Sequence, residues 1–337
     1  MPKTSLNTSA ASGMQTRMQE LYFDPARPWL APLAGYTDLT FRMLCREHGA
    51  GVCCTEMVSA KGLMYGSSGT KDLLHTVEGD RPLVVQLFGG EPDVFTAVMP
   101  AVIERGFHYF DCNMGCSVPK VTRTGSGAAL LKDVPRAIEV ARAMVRCAGE
   151  GKVGFKIRLG WDADSEIWRE LAQGLEDAGA AWLTLHPRFA REGFTGRARW
   201  EAIGELVRLV RIPVIASGDL FTAEDGVACL RQTGAATLMY ARGAMQQPDI
   251  FAAHTALWEG RPAPRSDLRA MIERHLDLAA QFGDEHAALL KMRTFAPRYV
   301  HAMPGAKDLR RALTACRDRA ALDTLLNDFF GRTEPSA

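Results

Sequence analysis

A cysteine in a glycine-rich, basic loop is the residue of this sequence best suited to chemistry. Cys116 follows an Asn-x-Gly turn, and the loop after it carries Lys120 and Arg123. The glycines of the loop let the backbone approach a ligand closely. A thiol in such surroundings can donate or accept a proton, or attack as a nucleophile. The pattern therefore predicts a catalytic role for Cys116.

Basic side chains stand at the ends of the next two apolar runs. Lys156 alternates with apolar residues, and His186 and Arg188 end the run after it. A lysine side chain that points from a strand into the protein interior needs an anionic partner or a lowered pKa. We therefore expect Lys156 either to pair with an electron-rich ring or phosphate of a cofactor, or to form a Schiff base. His186 fits a ligand contact and a structural histidine equally well.

Two short glycine motifs end the last two apolar runs. They are Ser217–Asp219 and Ala241–Gly243. Backbone N–H groups at Gly218 and Gly243 can hold a phosphate, and Arg242 adds positive charge. The two motifs together predict a phosphate site.

The first and third runs supply the rest of a pocket. Pro32, Leu33 and Ala34 leave a flat apolar floor, and the amide of Gln86 can both donate and accept hydrogen bonds at an imide edge. With the lysine, the histidine and the phosphate site, these residues favour a planar heterocycle that bears a phosphate. Flavin mononucleotide (FMN) fits this description, and no G-x-G-x-x-G dinucleotide fingerprint competes for the role.

The spacing of the apolar runs predicts the elements that position these residues. Eight runs recur between Trp29 and Gly243, and stretches with helical periodicity separate most of them. Apolar strands that alternate with helices are typical of a parallel sheet buried on both faces. Eight units of this length match an α/β fold, the (β/α)8 TIM barrel, whose chemistry lies at the C-terminal ends of its strands. The competing open doubly wound sheet would usually show a glycine-rich turn after its first strand.

The chain beyond the eighth run has a different pattern. Residues 265–330 show helical periodicity and no convincing strand, and the Gly- and Pro-containing segment 259–266 resembles a linker. We expect a flexible tail at 1–20, a TIM-barrel catalytic domain at 21–258 and a small all-helical domain at 259–337.

The helical segment is basic although the whole chain is nearly neutral. Residues 286–319 hold eight Lys or Arg against two Asp, whereas the chain has 40 basic and 39 acidic residues. A basic module predicts a polyanionic partner, most simply nucleic acid, although a solvated helix face with scattered arginines would have the same composition. The predicted RNA-binding residues are Lys120, Arg123, Arg188, Lys291, Arg293, Arg298, Arg310 and Arg311.

Composition excludes several classes of protein. The chain is 47% hydrophobic and 23% charged, which argues against disorder. Its eight cysteines form no paired C-x-x-C modules, so a secreted disulfide scaffold or a structural zinc site is not expected. No apolar run reaches the roughly 18 residues of a membrane span, and the N-terminus lacks the apolar stretch of a signal peptide. We expect a cytoplasmic protein without a bound metal.

The ordered set of motifs resembles the tRNA-dihydrouridine synthase family, and most closely its bacterial B branch. The resemblance runs from about Leu30 to Phe330. The stretches that carry it are APLAGYTDLTFR from Ala31, TEMVSAKGL from Thr55, VVQLFGG from Val84, DCNMGC from Asp111, SGAALLKD from Ser126, FKIRLGW from Phe155, LHPR from Leu185, PVIASGD from Pro213 and MYARGAM from Met239.

The resemblance implies an FMN-containing barrel joined to a helical RNA-binding domain, with NADPH or NADH as reductant and tRNA as substrate. Cys116 would be the catalytic acid in the reduction of a uridine, and no obligate protein partner is implied. The resemblance and the phosphate motifs together place the following residues at FMN: Pro32, Leu33, Ala34, Gln86, Lys156, His186, Ser217, Gly218, Asp219, Ala241, Arg242 and Gly243.

Three positions depart from the usual family pattern. Leu33 replaces a methionine, Ser217 replaces an asparagine, and Ser117 replaces the proline that usually follows the catalytic cysteine. The last change leaves the loop geometry and the choice of uridine open. The residues alone also allow another FMN-dependent barrel, of the dihydroorotate or enoate type, a phosphate-binding barrel with Lys156 as Schiff base, or a non-catalytic RNA-binding protein.

Overall fold

The centre of the molecule is a sheet of short, parallel and buried strands. The computed structural model describes residues 20–333, so the predicted tail lies outside the described residues except for its last residue. Within this range nine strands form one sheet. The strands are β1 (Trp29–Leu30), β2 (Cys53–Cys54), β3 (Val58–Ser59), β4 (Leu83–Phe88), β5 (Tyr109–Asn113), β6 (Val153–Arg158), β7 (Trp182–His186), β8 (Val214–Ala216) and β9 (Thr237–Tyr240).

The sheet closes on itself as a barrel. Its strand order is β2-β1-β9-β8-β7-β6-β5-β4-β3, and β2 also pairs with β4. The second predicted run is divided into β2 and β3, which both pair with β4 in parallel. The nine strand segments therefore occupy the eight strand positions of the barrel. The predicted TIM barrel is confirmed, and the open doubly wound sheet is excluded.

Helices cover the outside of the barrel between consecutive strands. Several begin at a side-chain cap: Asp38, Asp133 and Thr222 each accept a hydrogen bond from a backbone N–H in the first turn. The buried faces of the helices that these residues cap pack on the apolar sheet. The helices between the strands and after the last strand are α1 (Leu39–Glu47), α2 (Ala60–Met64), α3 (Ser68–Asp72), α4 (Pro92–Glu104), α5 (Pro119–Thr122), α6 (Val134–Ala148), α7 (Trp168–Asp177), α8 (Trp200–Leu209), α9 (Ala223–Thr233), α10 (Arg242–Gln246) and α11 (Ile250–Trp258).

Aromatic side chains fill the barrel at the N-terminal ends of its strands. The rings of Phe23 and Trp29 stack with centroids 5.4 Å apart, and Trp29 meets Trp182 edge-on at 5.8 Å. Gly154 lies beside this cluster, and a Cβ there would come within 2.0 Å of the Trp182 indole. The barrel is therefore a packed core, and its open end is the C-terminal one.

Four helices follow the barrel, and no strand occurs after β9 within the described range. They are α12 (Leu268–Phe282), α13 (Glu285–Tyr299), α14 (Ala306–Leu313) and α15 (Arg319–Thr333). The predicted helical character of this region is confirmed. Residues 259–266 are exposed between α11 and α12, and the division into two domains at this segment stays a prediction.

The C-terminal helices pack against α1 and the loop before it. The ring of Phe295 lies 4.9 Å from that of Phe41 and 5.6 Å from that of Tyr36. Arg274 also pairs with Glu47 at 2.5 Å. Because the loop before α1 follows β1 directly, α13 contacts the same segment that supplies the predicted pocket floor. No helix in residues 20–333 has the length and apolar character that crossing a bilayer demands.

Candidate active site

A cavity of about 340 Å³ opens at the C-terminal ends of the strands, where the fold predicts chemistry. Most of the residues predicted from the sequence line it. The predicted residues in its wall are Pro32, Leu33, Ala34, Cys116, Lys156, His186, Ser217, Gly218, Asp219, Ala241 and Arg242.

Gln86 and Gly243 are not among the residues that line the cavity, and their contact with a cofactor stays a prediction. Gln86 is fully buried, and its amide is bonded at both ends, to Asp111 at 2.6 Å and to Asn113 at 2.9 Å. Gly243 is buried in α10, where a Cβ would lie 2.6 Å from the carbonyl oxygen of Leu220. Its small size therefore allows close packing of α10 against Leu220.

The sequence did not single out several residues that complete the wall. Among them are Met57, Asn113, Arg158, Phe194 and Met239. Arg158 had a usable signal, because it lies two positions after Lys156 on β6 and so points to the same side. Phe194 had none, since it lies in an irregular loop and reaches the cavity mouth while 61% exposed.

Several residues that line the cavity are apolar. They include Pro32 and Leu33 from the loop after β1, Met57 from the break between β2 and β3, and Met239 from β9. Such a surface suits the face of a planar ring, since it offers dispersion contacts and no competing hydrogen bonds.

Lys156 brings a positive charge to the cavity, and the buried carboxyl of Asp111 is near enough to act on its pKa. No hydrogen-bond or ion-pair partner for its ammonium group is found among residues 20–333. Burial, together with the charge of nearby Arg158, lowers the pKa of Lys156 to about 8. An anionic or electron-rich ligand would stabilise the charged form.

His186 is neutral, and its tautomer follows from its neighbour. Burial and the positive charges of Lys156 and of three arginines lower the pKa of His186 well below its usual value. The guanidinium of Arg188 lies 3.2 Å from Nε2. Because a guanidinium can only donate, Nε2 must accept, and the ring proton lies on Nδ1. His186 is therefore a hydrogen-bond donor through Nδ1.

Asp219 organises the far end of the cavity. It accepts a hydrogen bond from Arg188 at 2.6 Å and one from the backbone N–H of Ala198 at 2.8 Å, and it pairs with Arg242 at 3.3 Å. Burial alone would raise the pKa of Asp219, but these hydrogen bonds and charges outweigh it and hold the pKa below its usual value.

Arg188 was predicted to bind RNA, and the structure corrects this. Its side chain is 1% exposed, and its guanidinium also donates to the carbonyl oxygens of Thr195 and Gly196. A residue so enclosed cannot reach a macromolecular partner. It supports Asp219 and His186 from behind the cavity wall.

Arg242 and Gly218 give this end the character of an anion site. Arg242 is half-buried, and its guanidinium lies 4.4 Å from the ring centroid of Phe194 and 4.7 Å from that of Phe221. Gly218 has φ +107°, and a Cβ there would lie 2.8 Å from the His186 ring. A larger residue would therefore be strained at this position, and phosphate binding by the Gly218 N–H stays a prediction.

The half-buried thiol of Cys116 lies in the same cavity, on a turn held by Asn113. The Asn113 side-chain oxygen accepts hydrogen bonds from the backbone N–H groups of Gly115 (3.2 Å) and Cys116 (2.8 Å). On the other side, the Cys116 carbonyl accepts from Ala128 N at 2.9 Å. The thiol is therefore presented by a fixed turn.

Apart from Arg188, the predicted RNA-binding residues fall into two groups. Lys120 in α5, Arg123 directly after it, and Arg310 and Arg311 on α14 are exposed. Their role in RNA binding stays a prediction.

Three further predicted residues are held by intramolecular contacts, which weakens the case for RNA contact. Lys291 donates to Thr40 at 3.0 Å and pairs with Asp38. Arg298 donates to the Tyr36 hydroxyl at 2.5 Å, and Arg293 donates to the carbonyl of Cys316 at 2.6 Å. Lys291 and Arg298 therefore join α13 to the barrel.

Comparison with known proteins decides the family. The model of the dihydrouridine synthase (Dus) family matches residues 29–333. The chain belongs to the dihydrouridine synthase family. A probable tRNA-dihydrouridine synthase of Treponema pallidum is 37% identical over 278 residues, covering 79% of this chain and 82% of the relative. The tRNA-dihydrouridine synthase B of Pseudomonas aeruginosa is 33% identical over 318 residues, covering 93% and 95%. The resemblance found in the sequence is thus confirmed.

A solved structure supports the fold of this Dus family member. The crystal structure of TcOYE with pHBA superposes with a TM-score of 0.50 at 11% identity, covering 77% of this chain and 94% of the other. At this identity the similarity concerns the fold alone. Within residues 20–333 no cluster of three or more His, Cys, Asp or Glu is arranged to hold a metal ion.

Proposed function

We propose that this protein reduces the C5=C6 bond of uridines in tRNA to give 5,6-dihydrouridine, with FMN as cofactor and NADPH or NADH as reductant. The family match supports the reaction, and one structural observation carries the assignment of its site. The Cys116 thiol, the Lys156 ammonium and the anion end at Arg242 all face one cavity.

The residues present fit a flavin with a phosphate tail. The apolar side formed by Pro32 and Leu33 suits the ring system, and Lys156 lacks a partner that the electron-rich ring would provide. The open backbone at Gly218 and the guanidinium of Arg242 suit the phosphate. When bound, FMN supplies the hydride that the reduction of a uracil requires.

The chain's own residues would supply the proton and the binding. In uracil, C6 is electrophilic because its double bond is conjugated to the C4 carbonyl, so negative charge develops toward C5 and O4 during reduction. The Cys116 thiol would donate a proton to C5. The cationic Arg158, which is buried in the cavity wall, would stabilise the developing charge.

The substrate must also leave its base stack before it can enter a cavity of this depth. Unstacking costs a few kcal/mol, which contacts between phosphates and exposed basic residues can offset. Lys120 and Arg123, which follow Cys116 in the chain, and Arg310 and Arg311 on α14 are the exposed cations we propose for these contacts. We infer that the protein acts in the cytoplasm, where tRNA and reduced nicotinamides are available.

A variant of the thiol tests the proposal. Purified wild-type protein and Cys116→Ala would be incubated with unmodified tRNA transcript and NADPH, and dihydrouridine measured by mass spectrometry. We expect Cys116→Ala to keep bound flavin and its reduction by NADPH, and to lose at least ~100-fold in dihydrouridine formation, the usual contribution of a general acid.

The matched control is Cys147→Ala, which removes another half-buried thiol that does not line the cavity. It should retain wild-type activity. A fully active Cys116→Ala would contradict the role of the thiol as proton donor, and a wild-type protein that binds no flavin would contradict the proposed cofactor.

A further inference from the structure

A chain of hydrogen bonds beneath the cavity connects a buried carboxylate with the backbone of Cys116. Gln86 on β4 lies opposite Asp111 on β5 and donates to its Oδ2 through Nε2 at 2.6 Å. Gln86 Oε1 in turn accepts from Asn113 Nδ2 at 2.9 Å. Asn113 Oδ1 then accepts from the N–H groups of Gly115 and Cys116. The chain therefore ends at the turn that carries the thiol.

Both ends of this chain fix the orientation of the two amides. A carboxylate can only accept, so the nitrogen of Gln86 must face Asp111. Two backbone N–H groups require an oxygen at the other end, so the nitrogen of Asn113 must face Gln86. The two requirements agree, and each amide is left with one orientation.

Asp111 has no evident purpose in packing. It is 3% exposed, and its Oδ1 has no hydrogen-bond partner within the described structure. Burial raises its pKa to about 7, against the hydrogen bond from Gln86 and the charge of Lys156. A buried polar group that is only half satisfied costs stability, and an apolar residue would fill this position at less cost.

We propose that Asp111 is a positioning residue for Cys116: it anchors Gln86 and Asn113, and through them the turn that aims the thiol at the substrate. The inference rests on the proposed function, in which that thiol donates a proton. Asp111 itself does not line the cavity and acts only through this chain.

Three variants test the proposal. Asp111→Ala removes the acceptor for Gln86. Asp111→Asn removes the charge but keeps an oxygen that can accept from Gln86 Nε2. Gln86→Met breaks the chain at its centre, and should fold because a carboxyl whose pKa is about 7 can become neutral at small cost. A single-turnover assay would follow dihydrouridine formation by reduced enzyme on tRNA transcript, with flavin reduction by NADPH and the KM for tRNA measured separately.

We expect Asp111→Ala and Gln86→Met each to lower the rate of dihydrouridine formation at least tenfold. In Asp111→Ala, flavin reduction and the KM for tRNA should stay within twofold of wild type. Asp111→Asn should recover the rate to within about threefold, and Asp111→Ala combined with Gln86→Met should be no slower than Gln86→Met alone, because both act on one chain. The rate at which iodoacetamide alkylates Cys116 in the flavin-free protein should change at least threefold in Asp111→Ala and much less in Asp111→Asn.

Wild-type rates in Asp111→Ala and Gln86→Met would overturn the proposal. It would also be overturned by an Asp111→Asn variant as slow as Asp111→Ala, since the charge and not the anchored amide would then matter. If Asp111→Ala does not fold, Gln86→Met decides between these outcomes. A wild-type protein that forms no dihydrouridine, together with the expected alkylation pattern, would refute the proposed function and leave the positioning of Cys116 supported.

Discussion

Removal of the Asp219 carboxylate should destabilise the whole anion end of the cavity. Asp219 is the only carboxylate found within 4.0 Å of the Arg188 guanidinium in residues 20–333. It also pairs with Arg242, which is 35% exposed. In Asp219→Ala, Arg188 keeps its charge but cannot move into water, whereas Arg242 can.

The size of the effect follows from the burial of Arg188. Breaking a buried ion pair by removing one partner costs about 3–5 kcal/mol, because the other charge stays buried and uncompensated. The Asp219 side chain is itself 23% exposed, so water can partly replace it and the lower end, about 3 kcal/mol, applies. Such a loss would lower the Tm by roughly 4 °C for a chain of 337 residues, because the entropy of unfolding grows with chain length.

Thermal and urea unfolding of the flavin-free protein would measure this loss, and equilibrium binding would measure FMN affinity. The control is Glu139→Ala, which removes an exposed carboxylate that pairs with Arg136 at 3.3 Å on α6; it should change the free energy of unfolding by less than about 1 kcal/mol. If Asp219→Ala unfolds like the control and binds FMN like wild type, then the pair with Arg188 does not organise the anion site.

Three further predictions concern other charged groups. Replacing Arg310 and Arg311 by alanine should weaken tRNA binding and reduce the slope of log Kd against log salt by roughly 1 to 2, as measured by filter binding; an unchanged slope would place the RNA elsewhere. Lys156→Met should raise the Tm of the flavin-free protein at pH 7 but weaken FMN binding, because burial lowers the pKa of Lys156 from 10.5 to about 8 and the buried cation costs the fold about 3 kcal/mol below pH 8; a lower Tm would contradict this. Burial also lowers the pKa of His275 from 6.5 to about 3, so the unfolded state binds more protons between these values and stability falls as pH drops through that window. His275→Gln should therefore lose less stability between pH 7 and pH 4 in urea titrations than wild type, by up to about 3 kcal/mol, and equal losses would show that His275 is not the group responsible.

The barrel and the mouth of the cavity could be predicted because two simple patterns determine them. Buried parallel strands read as apolar runs, and the barrel brings the ends of these runs to one face. Lys156, His186 and Cys116 were found in this way. The break between β2 and β3 could not be predicted. Val52–Val58 is one run in the sequence, and only the structure shows where it divides into two strands.

The sequence could not show how deep a side chain lies beneath the cavity, or which distant residues bond to each other. Alternation shows that Gln86 points into the barrel, but not that it stops below the cavity and bonds to Asp111. The contact between Arg188 and Asp219 joins positions 31 residues apart, which no local pattern reveals.

Counting charges also did not show which face of a helix they occupy. Lys291 and Arg298 lie seven residues apart, about two helical turns, and so share the face of α13 that packs against the barrel. Arg310 and Arg311 contribute equally to the basic composition, but they lie on α14 and are exposed.

The dihydrouridine content of cellular tRNA tests the central claim most directly. tRNA would be isolated from a strain that lacks this gene and from the same strain complemented with wild-type protein or Cys116→Ala, and dihydrouridine mapped at each position by mass spectrometry. The proposed function predicts that one or more positions lose dihydrouridine in the deletion strain, regain it with the wild-type protein and stay as uridine with Cys116→Ala. A dihydrouridine map that does not change on deletion, or that Cys116→Ala restores in full, would contradict it.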